Sequence, residues 1–400
     1  MSPLTTKVQK MWNKKDVKRL LKTLNCRNKI FRSEAAFVLG NIGGANVIDP
    51  LILKLSDNDN SVRFAAANAL GKLGDARAVE PLTHILDSDA PINIKIAAAN
   101  ALGKLGDARA VEPLTHILDS DAPINIKIAA ANSLGMIASK ASVPILTDVL
   151  SRETLDIRKA AAIALGEIGD TRAVEPLIAA LKVPIASSTP RNGMILLGTS
   201  IFNVESDTDF YVAVLNALGS IGGKLATKKL LMYLYHPNEH IRMTAASALE
   251  HVGLPPLTDR DSVQFWIAKR KFDKCIGYGE TAVSLLAEML GNERSRDRAT
   301  IAKVLGRIGG NRAVDSLLAL LKDENAEVRS AAASAIGDIG DCRAKEPLET
   351  LIKNENYYNV LLAGAQALNK VGGSAFKFFI NMIKYSERNT WMHIVRILDE

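Results

Sequence analysis

Apolar residues recur along most of the chain at the three- and four-residue spacing of amphipathic helices, and these stretches come in pairs. The first stretch of one pair, SVRFAAANALGKLG (61–74), sets small and aliphatic side chains on one face, beginning at Val62. The second, AVEPLTHILDSD (78–89), begins its apolar face with Val79 and Leu82. We therefore predict two short helices per pair. Because the first helix is rich in alanine, a neighbouring helix can approach it closely.

The link between the two helices also carries a signal. Gly74 follows the first stretch, at the position where a left-handed backbone ends a helix and glycine adopts it at little cost. Asp75 can cap the start of the next helix. Pro81 is tolerated in a first turn, where backbone N–H groups lack partners within the helix. These residues predict a tight connection.

The helix pair is repeated along the chain. The motif L-G-x-[LI]-G, with its weaker variants, places its first glycine or the residue that replaces it at positions 40, 71, 103, 135, 166, 219, 250, 306, 337 and 369. Seven of the nine steps are 31 or 32 residues, and residues 65–96 are identical to residues 97–128. A constant period of this length indicates a solenoid, in which each pair stacks on its neighbours. The 5% aromatic content also favours packed helices over sheets.

The repeat motif resembles a known family. LGEIGDTRAVEPL (165–177) and the stretch 328–348 resemble HEAT repeats of the phycobilisome-lyase type, and Arg158 and Arg329 fall in the arginine position of the first helix. The resemblance implies an all-α fold, a right-handed α-solenoid of about ten HEAT-like helix pairs with two insertions. It leaves the function open, because this repeat class includes bilin-attachment proteins, adaptors and scaffolds.

The first interruption of the period is an insertion loop at residues 183–209. Its apolar side chains need burial: Met194, Leu197, Ile201 and Phe202. We predict a short hairpin that turns at Gly198. It either packs back onto the solenoid or docks a partner protein, since long loops on a rigid array are often functional.

The second interruption, residues 255–280, predicts an inserted helix. Val263, Phe265 and Phe272 form its apolar face, and it resembles a helix inserted in some proteins of this repeat class. The remaining chain divides into a basic N-terminal half-repeat and three blocks of HEAT-like repeats: residues 1–32, 33–182, 210–254 and 281–400.

Positive charge is concentrated at the N-terminus. Residues 1–32 hold ten lysines and arginines and one acidic residue, Asp16, although the whole chain has a net charge of only +7. The exposed side of this half-repeat is basic: Lys14, Lys15, Lys18, Arg19 and Lys22. It either caps the array with a polar surface or forms a footprint for an acidic protein, a nucleic acid or an anionic lipid.

Catalytic motifs are missing from the sequence. It has no phosphate-binding loop, no G-x-S-x-G and no C-x-x-C, and the order Glu250–His251 reverses the His-Glu ligand motif of di-iron HEAT-type hydroxylases. We therefore predict no catalytic residue, no metal site and no cofactor. No apolar run reaches the roughly 18 residues of a membrane span, and three separated cysteines predict a reduced, cytoplasmic protein.

These observations predict a non-enzymatic scaffold or adaptor that binds one or more proteins within an intracellular assembly. The expected binding surface is the ridge of second helices: Glu80, His84, Asp87, Glu112, His116 and Asp119. One alternative, which the resemblance implies, is a bilin lyase subunit or a phycobilisome adaptor. Another is a nucleic-acid-associated protein that binds through its basic N-terminus.

Overall fold

The computed structural model of the chain describes residues 5–181, 195–197, 200–202, 206–253, 257–291 and 295–373. It divides into two units, Met1–Leu254 and Pro255–Glu400. Apart from one short hairpin, the regular elements that it describes are helices, most of them in the predicted pairs.

The first unit begins with two short helices, α1 (Thr6–Asn13) and α2 (Val17–Thr23). Seven first helices of repeats follow: α3 (Lys29–Ile42), α5 (Asn60–Leu73), α7 (Ile92–Leu105), α9 (Ile124–Ile137), α11 (Leu155–Ile168), α13 (Ser206–Ile221) and α15 (Glu239–Val252). Between them lie the second helices: α4 (Ile48–Leu53), α6 (Val79–Asp87), α8 (Val111–Asp119), α10 (Val143–Arg152), α12 (Val174–Ala180) and α14 (Lys224–Tyr233).

The second unit contains three further first helices: α18 (Ser295–Ile308), α20 (Ala326–Ile339) and α22 (Tyr358–Lys370). Its other helices are α16 (Asp259–Ala268), α17 (Gly279–Met289), α19 (Asn311–Leu320) and α21 (Lys345–Asn354). Each of the ten repeat positions read from the sequence lies in the last turn of one of the first helices, so the predicted solenoid of HEAT-like repeats is confirmed.

The first helices pack through their smallest residues. A Cβ atom on Gly71 would lie 2.6 Å from the Cα of Ala101, and one on Gly103 would lie 2.9 Å from the Cα of Ser133. Both distances are too short for a side chain, so the first glycine of the motif allows two helices to touch. The sequence predicted that alanine would allow neighbouring helices to approach closely. The structure shows that the first glycine of the motif is the residue against which the small side chain of the next helix packs.

The connection within a repeat is as predicted. Gly74 has φ 73° and ψ 17° and caps α5 in the left-handed conformation. The Asp75 carboxylate accepts a hydrogen bond from the Arg77 backbone N–H at 3.0 Å, and the Arg77 side chain donates back to the same carboxylate. The Arg77 guanidinium also reaches Asp49 of the preceding repeat at 3.0 Å, so the turn joins two repeats.

In several repeats a half-buried ion pair links the first helix to the loop that follows the second helix. Arg329 in α20 donates to the Glu355 carboxylate at 2.7 Å, and Arg32 in α3 pairs with Asp57 at the same distance. Burial raises the pKa of the Glu355 carboxyl, but the Arg329 hydrogen bond and two backbone N–H groups outweigh it, so the pKa is lowered overall. The arginine position of the motif therefore joins the first helix to the loop after the second.

The structure describes both insertions in part. In residues 183–209, strands β1 (Ile195–Leu197) and β2 (Ser200–Phe202) pair antiparallel, which confirms the hairpin, while its turn and its remaining residues lie outside the described part. In residues 255–280, α16 forms the predicted inserted helix. Its apolar face is buried, with Val263 0% and Phe265 1% exposed.

Candidate functional site

The open side of the first helices in the first unit carries three aligned rows of side chains. We call it the first-helix face. Residues four apart on one helix share a face, so each helix contributes one residue to each row. The rows on α5, α7 and α9 are an apolar row (Phe64, Ile96 and Ile128), an amide row (Asn68, Asn100 and Asn132) and a third row (Lys72, Lys104 and Met136).

The packing of the helices brings these rows into line. The same glycine-to-small-residue contact joins α5 to α7 and α7 to α9, so equivalent residues stand side by side on successive helices. A direct contact shows this alignment, because the Lys72 ammonium donates a hydrogen bond to the Asn41 Oδ1 of α3, which occupies the same row position. The amides of the middle row are exposed or half-buried.

A groove lies at the N-terminal end of this face, between α1, α3, α5 and α7. Its volume is about 1040 Å³. Three aromatic rings line it, Trp12, Phe37 and Phe64, and the first two meet edge to face with ring centroids 6.1 Å apart. Phe64 is 44% exposed. The groove therefore offers apolar surface beside the amide row.

The face is electropositive at this end. Helices α5, α7 and α9 contain five lysines and arginines and no acidic residue. Lys127 is neutralised, since its ammonium donates to the Glu153 carboxylate at 2.6 Å, whereas Lys72 and Lys104 are exposed. One carboxylate, that of Glu34, lines the groove, and it accepts hydrogen bonds from the Thr5 backbone N–H and hydroxyl.

Comparison with protein families decides what kind of chain this is. The model for HEAT repeats matches residues 17–93, 112–188 and 279–373, which make up more than half of the sequence. The chain belongs to the HEAT-repeat family. The model for the PBS lyase HEAT-like repeat matches residues 94–120, which is the repeat type that the sequence motif indicated.

The solved structures that resemble this chain share little sequence identity with it. An engineered protein is 22% identical, with 90% of this chain and 99% of that chain covered and a TM-score of 0.41. Human deoxyhypusine hydroxylase is 22% identical, with 74% and 96% covered and a TM-score of 0.30. The complex of CpcE and CpcF of phycocyanin lyase from Nostoc sp. PCC7120 is 19% identical, with 88% and 92% covered and a TM-score of 0.31. These values transfer neither an activity nor a partner. Among curated proteins, no sequence matches this HEAT chain.

The predicted ridge of the HEAT chain lies on the opposite layer, on helices α6 and α8. Its six residues are all exposed: Glu80, His84, Asp87, Glu112, His116 and Asp119. The Asp119 carboxylate accepts a hydrogen bond from Arg152 of α10 at 3.0 Å, so one ridge carboxylate is already engaged within the solenoid. The ridge is polar and accessible, and its role in binding stays a prediction.

The basic N-terminal residues lie on α2 and on its connection to α1. All five are exposed: Lys14, Lys15, Lys18, Arg19 and Lys22. The Arg19 guanidinium lies 3.4 Å from the Asp16 carboxylate, which also caps α2. Beneath them Leu20 and Leu24 are fully buried. These contacts agree with a capping role and leave the binding role as a proposal.

The insertion residues that sequence reasoning selected are only partly described. Leu197 lies in β1, and Ile201 and Phe202 lie in β2. Met194 lies outside the described residues, as do the side-chain environments of the other three. Their packing against the solenoid or a partner therefore stays a prediction.

Reactive groups are scarce in the described part of the HEAT chain, where no three His, Cys, Asp or Glu side chains cluster to hold a metal ion. Cys275 is buried, and burial raises the pKa of its thiol to about 12, with a smaller contribution from Asp273. Cys342 is exposed and Cys26 half-buried. No described helix combines the length and the apolar character of a membrane span.

The first-helix face is the feature that sequence reasoning missed. The motif AAAN ends at Asn68, Asn100 and Asn132, and the exact duplication of residues 65–96 keeps this spacing constant. That recurrence was a usable signal, because a polar amide inside an alanine-rich helix needs a hydrogen-bond partner in water, in a ligand or in the protein itself.

Proposed function

We propose that this HEAT-repeat chain is a non-enzymatic adaptor that binds a partner protein on the first-helix face of its first unit. The observation that carries the proposal is the groove of about 1040 Å³, because it combines aromatic walls with accessible amides and exposed lysines. Aromatic side chains in a recess are the usual anchors of protein interfaces, whereas evenly exposed polar residues contribute little.

The groove and the predicted ridge would contribute differently to the affinity for a partner. Phe64 can bury apolar surface against an incoming side chain, and a few such anchors carry most of the affinity of an interface. The ridge residues Glu80, His84 and Asp87 are solvated, and surface ion pairs of that kind contribute about 0–1 kcal/mol each. This comparison favours the groove.

Affinity measurements on a purified partner test the proposal. The partner would be recovered from the native host on the immobilised chain, identified by mass spectrometry, expressed separately and titrated by calorimetry. We expect Phe64→Ala to weaken binding by roughly thirtyfold, as the loss of an interface anchor worth about 2 kcal/mol does. Glu80→Ala, His84→Ala and Asp87→Ala serve as controls and should each change affinity by less than about threefold.

Circular dichroism and thermal unfolding of each variant would confirm that the fold is retained. A large loss of affinity in the ridge variants with none in Phe64→Ala would contradict the proposal and restore the ridge as the interface. Loss only on shortening residues 183–209 would assign the partner to the insertion.

Bilin handling is a second candidate function, supported by the match of residues 94–120 to a PBS lyase HEAT-like repeat. It is tested by incubating the purified chain with phycocyanobilin and an apo-phycocyanin subunit. A covalent adduct that fluoresces on a denaturing gel with zinc would support it. An adduct yield equal to that of the spontaneous reaction would remove it.

A further inference from the structure

The amide row is spaced to match the backbone of an extended chain. Packed helices lie about 8–10 Å apart, and the contacts of Gly71 with Ala101 and of Gly103 with Ser133 place α5 against α7 and α7 against α9. An extended or polyproline-type segment advances about 3.1–3.3 Å per residue, so three residues cover one helix spacing. Successive amides of the row would therefore contact every third residue of a bound extended segment.

The amides have the chemistry to bind such a backbone. A side-chain amide offers one acceptor and two donors, which complement a peptide N–H and C=O. The Asn68 Nδ2 uses one N–H to donate to the Phe64 carbonyl at 2.9 Å, which leaves its other N–H and its Oδ1 for a ligand. Within the described part of the chain, the amides of Asn100 and Asn132 form no hydrogen bond.

The flanking rows select the side chains of the bound segment. On one side lie the apolar side chains Phe64, Ile96 and Ile128, and on the other lie the exposed ammonium groups of Lys72 and Lys104. No acidic residue occurs on α5, α7 or α9 to compete for those lysines. A segment that places apolar residues towards the first row and Asp or Glu towards the second would satisfy both.

We infer that the amide row of Asn68, Asn100 and Asn132 binds an extended segment of a partner protein by its backbone, with acidic residues of that segment facing Lys72 and Lys104. This inference rests on the proposed function and names the form and charge of the partner. The second unit differs on its equivalent face, where the Lys370 ammonium pairs with the Asp338 carboxylate at 2.8 Å. The exact duplication of residues 65–96 extends the row by one identical site.

Nucleic acid fits this face less well. Single-strand binders combine a track of many cations with stacked aromatic rings along the strand. Here the third row provides two exposed lysines and then Met136, and the aromatic rings are confined to one end of the face. An amide row between an apolar row and a short basic row is better matched to a peptide.

A random peptide library gives a defined probe. A displayed library of 12-residue peptides would be selected on the full chain at 50 mM NaCl. We expect the enriched peptides to be rich in Asp or Glu and apolar residues and poor in Lys and Arg. Enrichment of basic peptides, or no enrichment above that on the Asn68→Ala, Asn100→Ala, Asn132→Ala triple variant, would overturn the inference.

Fluorescence anisotropy with one enriched synthetic peptide then measures each contribution. Each single Asn→Ala change should weaken binding by roughly two- to tenfold, as expected for one net hydrogen bond, and the triple variant by roughly a hundredfold. Asn216→Ala is the matched control: this residue holds the same motif position on α13, but Ile163 of α11 separates it from the three-residue row. It should bind like the unmodified chain, and an equal loss in Asn216→Ala and Asn100→Ala would contradict the inference.

A separate measurement tests whether acidic residues of the bound segment face Lys72 and Lys104. Raising NaCl from 50 to 200 mM should weaken binding by the unmodified chain, because exposed charges are screened over about 10 Å. The Lys72→Gln, Lys104→Gln variant should bind more weakly at 50 mM and respond less to salt. Displacement of the peptide by poly-uridylate at a lower concentration than by the unlabelled peptide would overturn the peptide assignment.

The variants also separate this inference from the proposed function. If the purified partner protein loses affinity with Phe64→Ala but not with the triple Asn variant, the face binds a folded surface and only the extended-backbone inference fails. If neither change alters partner binding, both fail. If both changes weaken it, both are supported.

Discussion

Gly71 and Ala101 touch so closely that a Cβ atom on Gly71 would lie 2.6 Å from the Cα of Ala101 and 2.7 Å from its Cβ. The same contact recurs between Gly40 and Ala69 at 2.6 Å. It sets the spacing of the first helices and, through that spacing, the alignment of the side chains on the face we propose as the binding site.

We expect Gly71→Ala to destabilise the fold. The added methyl group meets helix backbone that cannot move without shifting the next repeat, and overpacking of this kind costs about 1–3 kcal/mol. Gly277→Ala is the matched control, since a Cβ there would have no heavy atom within 4 Å. Urea unfolding followed by circular dichroism measures both. Equal stability of Gly71→Ala and the unmodified chain would show that the helices are not in tight contact.

Deletion of residues 65–96 should leave a folded protein that is shorter by one repeat. The deletion joins Phe64 to Ala97, and the sequence after the junction is identical to the sequence removed. Because each repeat contacts only its neighbours, the new junction restores the native contacts. Cooperative thermal unfolding with an unchanged helical spectrum per residue is the expected result, and its loss would show that the copies are not interchangeable.

Acid should weaken the turn at Asp107. Its carboxylate accepts hydrogen bonds from the Arg109 side chain and backbone N–H, and these lower its pKa from 3.8 to about 2. Because the folded pKa is the lower one, the interaction stabilises the fold fully above pH 3.8 and is lost as the pH falls towards 2. NMR titration of the carboxyl carbon should give a midpoint near 2. Arg109→Gln should move that midpoint up towards 3.8, and an unchanged midpoint would contradict the assignment.

The three cysteines should differ in reactivity. Burial raises the pKa of the Cys275 thiol to about 12, so almost none of it is thiolate near neutral pH. Cys342 is exposed and should react first with iodoacetamide, and Cys26 should follow. Mass spectrometry after brief alkylation at pH 8 should find Cys275 unmodified until urea is added. Rapid modification of native Cys275 would contradict the buried position.

The repeat architecture was predictable because it follows from local signals. Gly74 favours a left-handed helix cap, and the helical spacing of Val79 and Leu82 marks the buried face of the second helix. Neither signal depends on contacts with distant parts of the chain. The role of the first glycine was not predicted, since its partner Ala101 lies one repeat away and only the stacked structure shows how closely they meet.

The candidate site was harder to predict for the same reason. The sequence shows that Asn68, Asn100 and Asn132 recur, but their alignment depends on how α5, α7 and α9 are packed. The sequence pattern instead drew attention to ridge residues such as His84, which are exposed and lie outside the lining of the aromatic groove. The pairing of Arg329 with Glu355 was likewise hidden, because it forms across the loop that ends the repeat.

Site-specific photo-crosslinking tests the central claim most directly, because it records which surface meets the partner. A p-benzoylphenylalanine residue would replace Phe64 or Asn100 on the first-helix face, and His84 or His116 on the ridge, in the full chain expressed in its native host. We predict a discrete crosslinked adduct with one protein from positions 64 and 100 and none from positions 84 and 116. Adducts from positions 84 and 116, with none from 64 and 100, would contradict the account and assign the interface to the second helices.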